Sequence, residues 1–294
     1  MSATPTATEW ITGWALKSPP RIDYSFVDAS GEWGQGRWAG TEAYDLGLTV
    51  ASHGKMSARH VRMARTQPAA STDWEALDAD FHFLYVLKGS AKIEDATGER
   101  VTLKPGATSC LPAFFRHRLL DVSPDFEMLE VLSPAVPAVV KGKDTALPER
   151  ARRFTGLRPE FRFETADCYQ QGAGPRRFFR YRDLNTRGPT EGRIHIHAIQ
   201  AVEPMQGGTG WHKHTMSQLF WVTRGSAGFN IEGHGEIRQV VAGDAVCVAA
   251  GMRHNVPTFS LDYELIEMCI PADYETIDTE PPKFEVSRDS RAPT

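Results

Sequence analysis

The sequence has little cysteine, and its four cysteines stand far apart, at positions 110, 168, 247 and 269. Because no Cys-x-x-Cys pair is present, a disulfide framework is not expected and a reducing compartment is favoured. Cys247 and Cys269 lie within apolar segments, so we interpret them as buried, unreactive thiols.

Long apolar runs and a strong excess of one charge are also absent. No apolar run approaches the roughly 20 residues of a membrane span, and the first 14 residues lack the basic and apolar stretches of a signal peptide. The formal net charge is −4, so neither nucleic acid nor a membrane is expected as a partner. No glycine-rich phosphate loop and no Gly-x-Ser-x-Gly motif is found. These absences predict a soluble cytoplasmic protein.

What the chain does have is enough apolar material for two folded units. Hydrophobic residues make up 41% of the sequence and charged residues 24%, which is the balance of a globular protein. A length of 294 residues favours two domains.

The second half of the chain repeats the first at a spacing of 137 residues. Trp74 matches Trp211 and Gly106 matches Gly243 at this spacing. Further matches join Arg116-His117 with Arg253-His254, residues 125–135 with 262–272, Tyr44 with Tyr181, and His60 with His197. A single gap between the tryptophans and the following glycine turns brings these positions into one alignment. We therefore predict a duplicated domain.

Each copy is built from short segments typical of β-strands. Residues 83–87 (FLYVL) and 219–223 (LFWVT) are aromatic and β-branched, and each is followed by a turn containing glycine, Gly89 or Gly225. Further short strands follow at even spacing, with no long stretch of helical period between them. This pattern favours an all-β sandwich or barrel in each copy.

The boundaries of the two copies follow from the repeat. We place the N-terminal domain at 37–135, a linker at 136–173 and the C-terminal domain at 174–275. Basic residues in the linker are interpreted as a solvated connection: Lys141, Lys143, Arg150, Arg152 and Arg153. The first 36 residues and those after about 275 are expected to wrap around the core or to fray.

Three histidines in the second copy have the spacing of metal ligands. His212 and His214 would lie on one face of a strand, because strand side chains alternate between faces. His254 follows about 40 residues later and can converge on them from a neighbouring strand. Three imidazoles that converge in this way are suitable ligands for a transition metal.

The residues around these histidines and their spacing resemble the paired motifs of the cupin superfamily. The first motif has two histidines, an acid and a glycine, here His212, His214, Gln218 and Gly225; the second has a Pro-x-Gly turn and a histidine, here Ala249, Gly251 and His254. The resemblance covers about 37–135 and 174–275. It implies a bicupin, with two tandem double-stranded β-helix (jelly-roll) barrels, and a homodimer.

Two departures from the cupin pattern affect the expected chemistry. Gln218 replaces the acid and Ala249 replaces the proline. A glutamine offers only a neutral carbonyl oxygen, so Gln218 is either a weak fourth ligand or a hydrogen-bonding neighbour of the metal. Three neutral imidazoles leave the charge of a divalent ion uncompensated, which favours an anionic, chelating substrate.

The resemblance to three-histidine cupins implies a dioxygenase that uses one non-haem Fe(II) per chain, with Mn, Ni or Zn as alternatives, and O2 as co-substrate. A β-diketone or a hydroxylated aromatic acid is the expected kind of substrate. Two other functions stay open at this point. One is an O2-independent isomerase, lyase or cyclase that uses the same ligands, and the other is a non-catalytic cupin that binds a small molecule.

The first copy has lost most of this pattern. Glu75 and Leu77 stand where the two ligand histidines are expected, while His82 and His117 match Gln218 and His254. The simpler interpretation is a vestigial barrel that shields the other domain or serves dimerisation. The alternative is a rebuilt metal site of Glu75, His82 and His117.

Strand alternation also predicts the neighbours of the metal. If Gln218 points inward, so do Phe220 and Val222, with Phe229 and Ile231 on the next strand, whereas Leu219 and Trp221 point outward. His195 and His197 become candidate acid–base residues if their face of the strand points inward. The match of His197 with His60 favours a structural role. Glu264 and Glu267 are interpreted as mainly structural, because the first copy has matching glutamates.

Overall fold

The structure is a computed structural model that describes residues 19–64, 71–203, 207–235 and 237–282. The residues before 19, including the segment tested for a signal peptide, and those after 282 lie outside this range. Within it the regular secondary structure is almost entirely β-strand, as the sequence predicts. None of the helices in these described residues is long and apolar enough to span a membrane.

The first half of the described chain forms twelve strands and one short helix, α1 (Leu48–Ala51). The strands are β1 (Ser25–Val27), β2 (Gly34–Gln35), β3 (Thr41–Asp45), β4 (Ser57–Met63), β5 (Glu75–Leu77), β6 (Phe81–Lys88), β7 (Ala91–Asp95), β8 (Arg100–Leu103), β9 (Thr108–Leu111), β10 (His117–Leu120), β11 (Glu127–Ser133) and β12 (Val139–Lys141).

The second half repeats the series, with 3-10 turns at Glu149–Phe154 and Gly174–Arg176. The strands are β13 (Glu160–Arg162), β14 (Gln170–Gln171), β15 (Phe179–Asp183), β16 (His195–Ala201), β17 (His212–His214), β18 (Ser217–Arg224), β19 (Ser226–Ile231), β20 (Arg238–Val241), β21 (Ala245–Val248), β22 (His254–Phe259), β23 (Glu264–Ile270) and β24 (Thr276–Asp278).

Each half forms a sandwich of a seven-stranded and a five-stranded sheet, and the strands within each sheet pair in antiparallel fashion. The N-terminal sandwich has the orders β13-β9-β6-β11-β4-β3-β2 and β12-β5-β10-β7-β8. The C-terminal sandwich has the orders β1-β21-β18-β23-β16-β15-β14 and β20-β19-β22-β17-β24. Buried apolar side chains of both sheets form the core of each sandwich. This is the jelly-roll architecture that the resemblance to cupins implies.

The two large sheets also pack against each other. Alternate residues of the central strands face this interface, where they form a shared core whose members include Leu46, Phe83, Leu129, Val131, Ile196, Leu219, Trp221, Ile266 and Met268. Phe220, Val222, Phe229 and Ile231 face the interior of the C-terminal sandwich, as strand alternation predicts. Leu219 and Trp221 point out of that sandwich, but they are buried against the other one rather than exposed.

The two sandwiches exchange an edge strand. β1 precedes the first copy but pairs with β21 of the second, with Phe26 opposite Val246. β13 precedes the second copy but pairs with β9 of the first, with Phe161 opposite Ser109. The chain before residue 37 therefore includes a strand of the C-terminal sandwich.

Residues 136–173 are more than a solvated connection. They contribute β12 and β13 to the N-terminal sandwich and β14 to the C-terminal one. Lys141 lies 3.5 Å from Glu75, and the Arg150 guanidinium forms ion pairs with Asp78 and Asp80. The solvated interpretation is therefore wrong for Arg150, which pairs with two carboxylates of the adjacent sandwich, whereas Lys141 is exposed although it approaches Glu75. Arg152 and Arg153 are exposed, as expected.

The structural repeat needs one more gap than the sequence alignment used. Glu130 is opposite Arg59, whereas the matching Glu267 is opposite His197. His197 therefore corresponds to Arg59, and the match with His60 is wrong by one residue. A slip of one residue moves a side chain to the other face of a sheet, and His60 indeed faces Trp221 of the shared core, with ring centroids 4.9 Å apart. The match of Tyr44 with Tyr181 fails for the same reason.

Candidate metal centre

The strand pairing brings the three histidines of the C-terminal sandwich together. β17 pairs with the first residue of β22, which places His212 directly opposite His254. His214 lies two residues further along β17 and so on the same face, with Lys213 on the other. On the other side of β17, β24 fixes the strand, with Thr276 opposite His214. Residues 40 apart in sequence thus become neighbours on one sheet.

The imidazoles of His212, His214 and His254, here called the histidine cluster, have the geometry of a ligand set. One ring nitrogen of each lies within 4.8 Å of the others, and all three side chains are buried. Each Nδ1 already has a hydrogen-bond partner: the Gly210 carbonyl at 2.9 Å, the Thr276 hydroxyl at 2.9 Å and the Met252 carbonyl at 3.0 Å. These partners fix each ring and leave Nε2 as the available ligand atom.

Burial keeps the histidine cluster neutral. It lowers the pKa of His212, that of His214 to about 4 and that of His254 to about 3. A neutral imidazole can donate an electron pair to a metal, whereas an imidazolium cannot. The Nε2 atom of His254 is buried without a hydrogen-bond partner, a position that a metal ion would satisfy. The donor set therefore fits a divalent transition metal.

Glu267, interpreted from the sequence as mainly structural, lines the same cavity as the histidine cluster. The Gln218 amide group donates a hydrogen bond to Glu267, and Glu267 also lies 2.6 Å from Nε2 of His197. Burial alone would raise the pKa of Glu267, but the charge and hydrogen bond of His197, together with His214 and Gln218, outweigh it and hold this pKa well below its usual range. Because a carboxylate only accepts, the amide nitrogen of Gln218 must face it and the carbonyl oxygen must face elsewhere.

The histidine face of β16 points into the C-terminal sandwich. His197 lines the same cavity as the histidine cluster, and its Nδ1 lies 2.8 Å from Nε2 of His195. Ile196, between them, faces the shared core. Burial and the neighbouring His197 lower the pKa of His195 to about 4. Glu267, His197 and His195 thus form a continuous hydrogen-bonded chain that begins beside Gln218.

This chain joins two cavities. The first, of about 370 Å³, contains the histidine cluster, Gln218 and Glu267. The second, of about 520 Å³, contains His195, and His197 lines both. His197, Glu267 and Cys269 also have ligand atoms within 4.8 Å of one another. Because Glu267 already bonds His197 and Gln218, we interpret this group as part of the hydrogen-bonded chain rather than as a second metal site.

The rest of the 370 Å³ cavity is mainly apolar, with one cation. Its apolar walls include Ile199, Phe220, Phe229, Val256 and Leu265. Arg176 also lines it. Burial is the main cause of the lowered pKa of His212 and His214, and the positive charge of Arg176 lowers both further. None of the ion pairs formed within the described residues involves Arg176, whereas the neighbouring Arg177 lies 3.4 Å from Glu203.

The N-terminal sandwich places different residues at the corresponding positions. Glu75 is opposite His117, as His212 is opposite His254. His82 occupies the position of Gln218, and Leu77 that of His214. The guanidinium of Arg37 forms ion pairs there with Glu75 and Glu130. With the guanidinium of Arg37 in this place, the ligand atoms of the alternative set Glu75, His82 and His117 do not all lie within 4.8 Å of one another.

Neither Arg176 nor Arg37 was identified from the sequence, and Glu267 was interpreted as mainly structural. A signal existed for Glu267, since it interrupts the apolar strand β23 on the face that carries Leu265. Arg176 belongs to a short turn, and Arg37 precedes β3. No local pattern gives the direction of either side chain, so neither contact could be read from spacing.

No protein-family model and no curated protein matches the sequence. Solved structures share its fold. A Pseudomonas aeruginosa protein described as glyoxylate-induced has a TM-score of 0.60 and 11% identity over 95% of this chain and 98% of its own. Salicylate 1,2-dioxygenase from Pseudaminobacter salicylatoxidans has a TM-score of 0.60 and 15% identity, over 88% and 89%.

A mutant of oxalate decarboxylase from Bacillus subtilis is also similar, with a TM-score of 0.56 and 14% identity over 90% of this chain and 81% of its own. At such identities the likeness concerns the fold. The similarity extends over both sandwiches, because each comparison covers most of both chains. The chain therefore shares the fold of these proteins, with two jelly-roll sandwiches in tandem.

Proposed function

We propose that the chain is a metal-dependent enzyme whose active site is the 370 Å³ cavity of the C-terminal sandwich. In this proposal it is a non-haem Fe(II) dioxygenase that acts on a small anionic chelator such as a β-diketone or a hydroxylated aromatic acid. The observation that carries the proposal is the histidine cluster: three buried, neutral imidazoles converge on the wall of the cavity. The fold shared with a salicylate 1,2-dioxygenase supports the same class.

His212, His214 and His254 would hold the ion, and their Nδ1 hydrogen bonds would keep the rings in place. When bound, a ferrous ion supplies open positions for an anionic substrate and for O2. Gln218 lines the same cavity and is oriented by its hydrogen bond to Glu267. Its carbonyl oxygen would either be a fourth ligand of the ion or form a hydrogen bond beside it. The carboxylate of Glu267 is already committed to Gln218 and His197, so the ion would keep its uncompensated charge.

The cavity itself is suited to an anionic substrate with an apolar body. Phe220, Phe229 and Leu265 would contact the apolar part and keep water away from it. Arg176, which has no carboxylate partner among the described residues, would attract the negative charge of the substrate. The anion would thus be drawn both to the histidine cluster and to the guanidinium.

Oxygen uptake tests this proposal directly. The chain is loaded with Fe(II) and mixed with a panel of β-diketones and hydroxylated aromatic acids in an oxygen-electrode cell. We expect uptake with at least one compound, and its loss in His212→Ala and His254→Ala, which also lose bound iron. His53→Ala is the matched control, because His53 is exposed and pairs with Asp23 at a distance from the histidine cluster. Uptake by none of the compounds, with Fe, Mn or Ni bound, would contradict the dioxygenase assignment.

One observation favours a second function, an O2-independent isomerase, lyase or cyclase. The chain of Glu267, His197 and His195 can carry a proton from the cavity to a second cavity, which suits a reaction that moves a substrate proton. Turnover under strict anaerobiosis would establish this function and exclude the first. Tight binding of substrate-like anions without turnover in either atmosphere would instead identify a binding protein.

A further inference from the structure

The N-terminal sandwich contains a buried ionic cluster at the position that the histidine cluster occupies in the other sandwich. Strand pairing equates Glu75 with His212 and His117 with His254. It likewise equates Glu130 with Glu267, since Glu130 is opposite Leu84 and Glu267 is opposite Phe220. Two carboxylates and a histidine therefore face the interior at this place, all nearly inaccessible to solvent.

A guanidinium lies between the two carboxylates. Arg37 donates through one terminal nitrogen to Glu75 and through the other to Glu130, so its fork links both side chains. The indole of the next residue, Trp38, donates a further hydrogen bond of 2.8 Å to Glu75. Lys141 approaches the same carboxylate from the rim at 3.5 Å. Two carboxylates thus face one buried cation, Arg37, and one cation at the rim, Lys141.

The remaining groups are those of a cation site. His117 has its Nδ1 held by a backbone carbonyl, that of Phe115 at 2.9 Å, just as Nδ1 of His254 is held by the Met252 carbonyl. Its Nε2 is buried without a hydrogen bond and lies 3.8 Å from Glu75. His82 approaches Glu130 at 3.3 Å. Imidazole nitrogens and carboxylate oxygens that face one buried place are typical ligands of a divalent metal.

We propose that the guanidinium of Arg37 is a built-in cation that fills the metal position of the N-terminal sandwich and excludes metal from a latent site made by Glu75, Glu130, His82 and His117. Arg37 and Trp38, which fill this position, lie in the segment between β2 and β3. Because a guanidinium and a divalent ion would repel each other at this distance, only one can occupy the place. The chain accordingly binds metal in one sandwich only.

The charge of Arg37 is needed because the two carboxylates are buried. Burial alone would raise the pKa of Glu75 and Glu130, and the pairing with Arg37 outweighs this effect and lowers both. Removing the guanidinium takes away the largest positive charge that faces the two carboxylates, since Lys141 is half exposed at the rim. A divalent ion is the cation that the remaining ligands can accept.

The test is a count of bound metal in full-length variants. Each protein is dialysed against excess Mn²⁺, freed of unbound ion and analysed for metal per chain. Arg37→Gln is expected to bind one equivalent more than the unchanged chain. Arg37→Lys is expected to bind no more, because it keeps a cation in place. Arg62→Gln is the matched control, since Arg62 pairs with Glu42 on the same sandwich outside the cluster.

The expected gain in bound metal does not depend on the proposed enzymatic function. The same gain is expected when His254→Ala has removed the C-terminal metal site. Arg37→Gln leaves buried charge unbalanced, so the double change Arg37→Gln with Glu130→Gln restores the balance and should bind the extra ion through Glu75, His82 and His117. The proposal is wrong if neither variant gains metal, or if Arg37→Lys gains as much as Arg37→Gln.

Discussion

At the residue scale, a single carboxylate ligand could both approach the metal position and supply negative charge. In the C-terminal sandwich these two roles fall to different side chains. Gln218 occupies the position beside the histidine cluster, and the negative charge sits one hydrogen bond further away, on Glu267. Glu267 in turn fixes His197 at 2.6 Å. The consequence is a neutral ligand set with a charged neighbour, Glu267, that orients Gln218.

Glu267→Gln should weaken metal binding. The amide cannot accept hydrogen bonds from both Gln218 and His197 as a carboxylate does, so Gln218 loses its fixed orientation. Loss of such a supporting partner reduces metal affinity or activity about 10- to 100-fold. Competition with a chelator of known affinity measures the change. Glu264→Gln on the same strand is the control, because Glu264 is half buried and pairs with Arg224 at 3.7 Å, away from the cavity. Equal affinities in both variants would contradict the role of Glu267.

Arg176→Gln should raise the KM for an anionic substrate and change kcat less. A charge-assisted hydrogen bond contributes about 1.5–3 kcal/mol, which corresponds to roughly 10- to 100-fold in affinity. Steady-state kinetics, or binding of a non-reacting anion followed by calorimetry, gives the change. Arg177→Gln is the neighbouring control, since Arg177 is exposed and pairs with Glu203. An Arg176 variant that binds anions as well as its control would remove Arg176 from the site.

At the element scale, the exchanged strands β1 and β13 are the feature that ties the two sandwiches together. Each is three residues long and would be unstable alone, and each contributes an aromatic side chain to the core of the sandwich that receives it: Phe26 to the C-terminal core and Phe161 to the N-terminal core. The two residues occupy equivalent positions, opposite Val246 and Ser109. Each sandwich is thus completed by a segment that lies outside its own repeat.

Phe26→Ala should destabilise the sandwich that receives β1 rather than the one that β1 precedes. Partial burial of the ring suggests a loss of about 1–2 kcal/mol of unfolding free energy. Hydrogen exchange followed by mass spectrometry should show faster exchange in β21 and β18 and unchanged exchange in β9. Phe161→Ala should give the opposite pattern. Phe163→Ala is the control, because that side chain is half exposed. Faster exchange in β9 for Phe26→Ala would contradict the exchanged pairing.

At the scale of the whole molecule, the shared core and the exchanged strands couple the two sandwiches, so that complete unfolding of one should destabilise the other. The shared core draws buried residues from both large sheets. Loss of either sandwich would expose the apolar face of the other and remove one of its edge strands. A homodimer, the cytoplasmic location and the domain limits set by the repeat remain predictions.

The metal-free protein should lose stability as the pH falls from about 6.5 toward 4. The pKa of the buried histidines is lowered on folding, to about 4 for His117 and His214 and to about 3 for His254. In this window the unfolded chain therefore binds protons that the folded chain does not, and acid favours unfolding. The contribution at pH 5 is on the order of 1–2 kcal/mol per histidine.

Urea unfolding of the chelator-treated chain between pH 7 and pH 5 measures this dependence. His254→Ala should show a shallower slope, whereas His53→Ala, at an exposed position, should follow the unchanged chain. A slope that His254→Ala does not alter would show that this histidine is not held neutral by the fold.

Much of this protein is determined by local sequence. The two-residue period of strands such as β18 predicts which side chains face the interior, and the repeat predicts two sandwiches of the same type. The spacing of His212, His214 and His254 predicts a cluster because alternation and antiparallel pairing leave these side chains few other places. These features depend on neighbours in sequence or on one strand pair.

Only the tertiary structure decided the rest. The match of His197 with His60 failed because sequence similarity does not fix a strand register to one residue, and a slip of one residue reverses the face. Arg37, Arg176 and Glu267 acquire their importance from partners far away in the chain, as Arg37 does from Glu130. The exchange of β1 and β13 likewise depends on which open sheet edge each segment meets in the folded chain. Such contacts follow from how the sandwiches pack, and no local pattern records them.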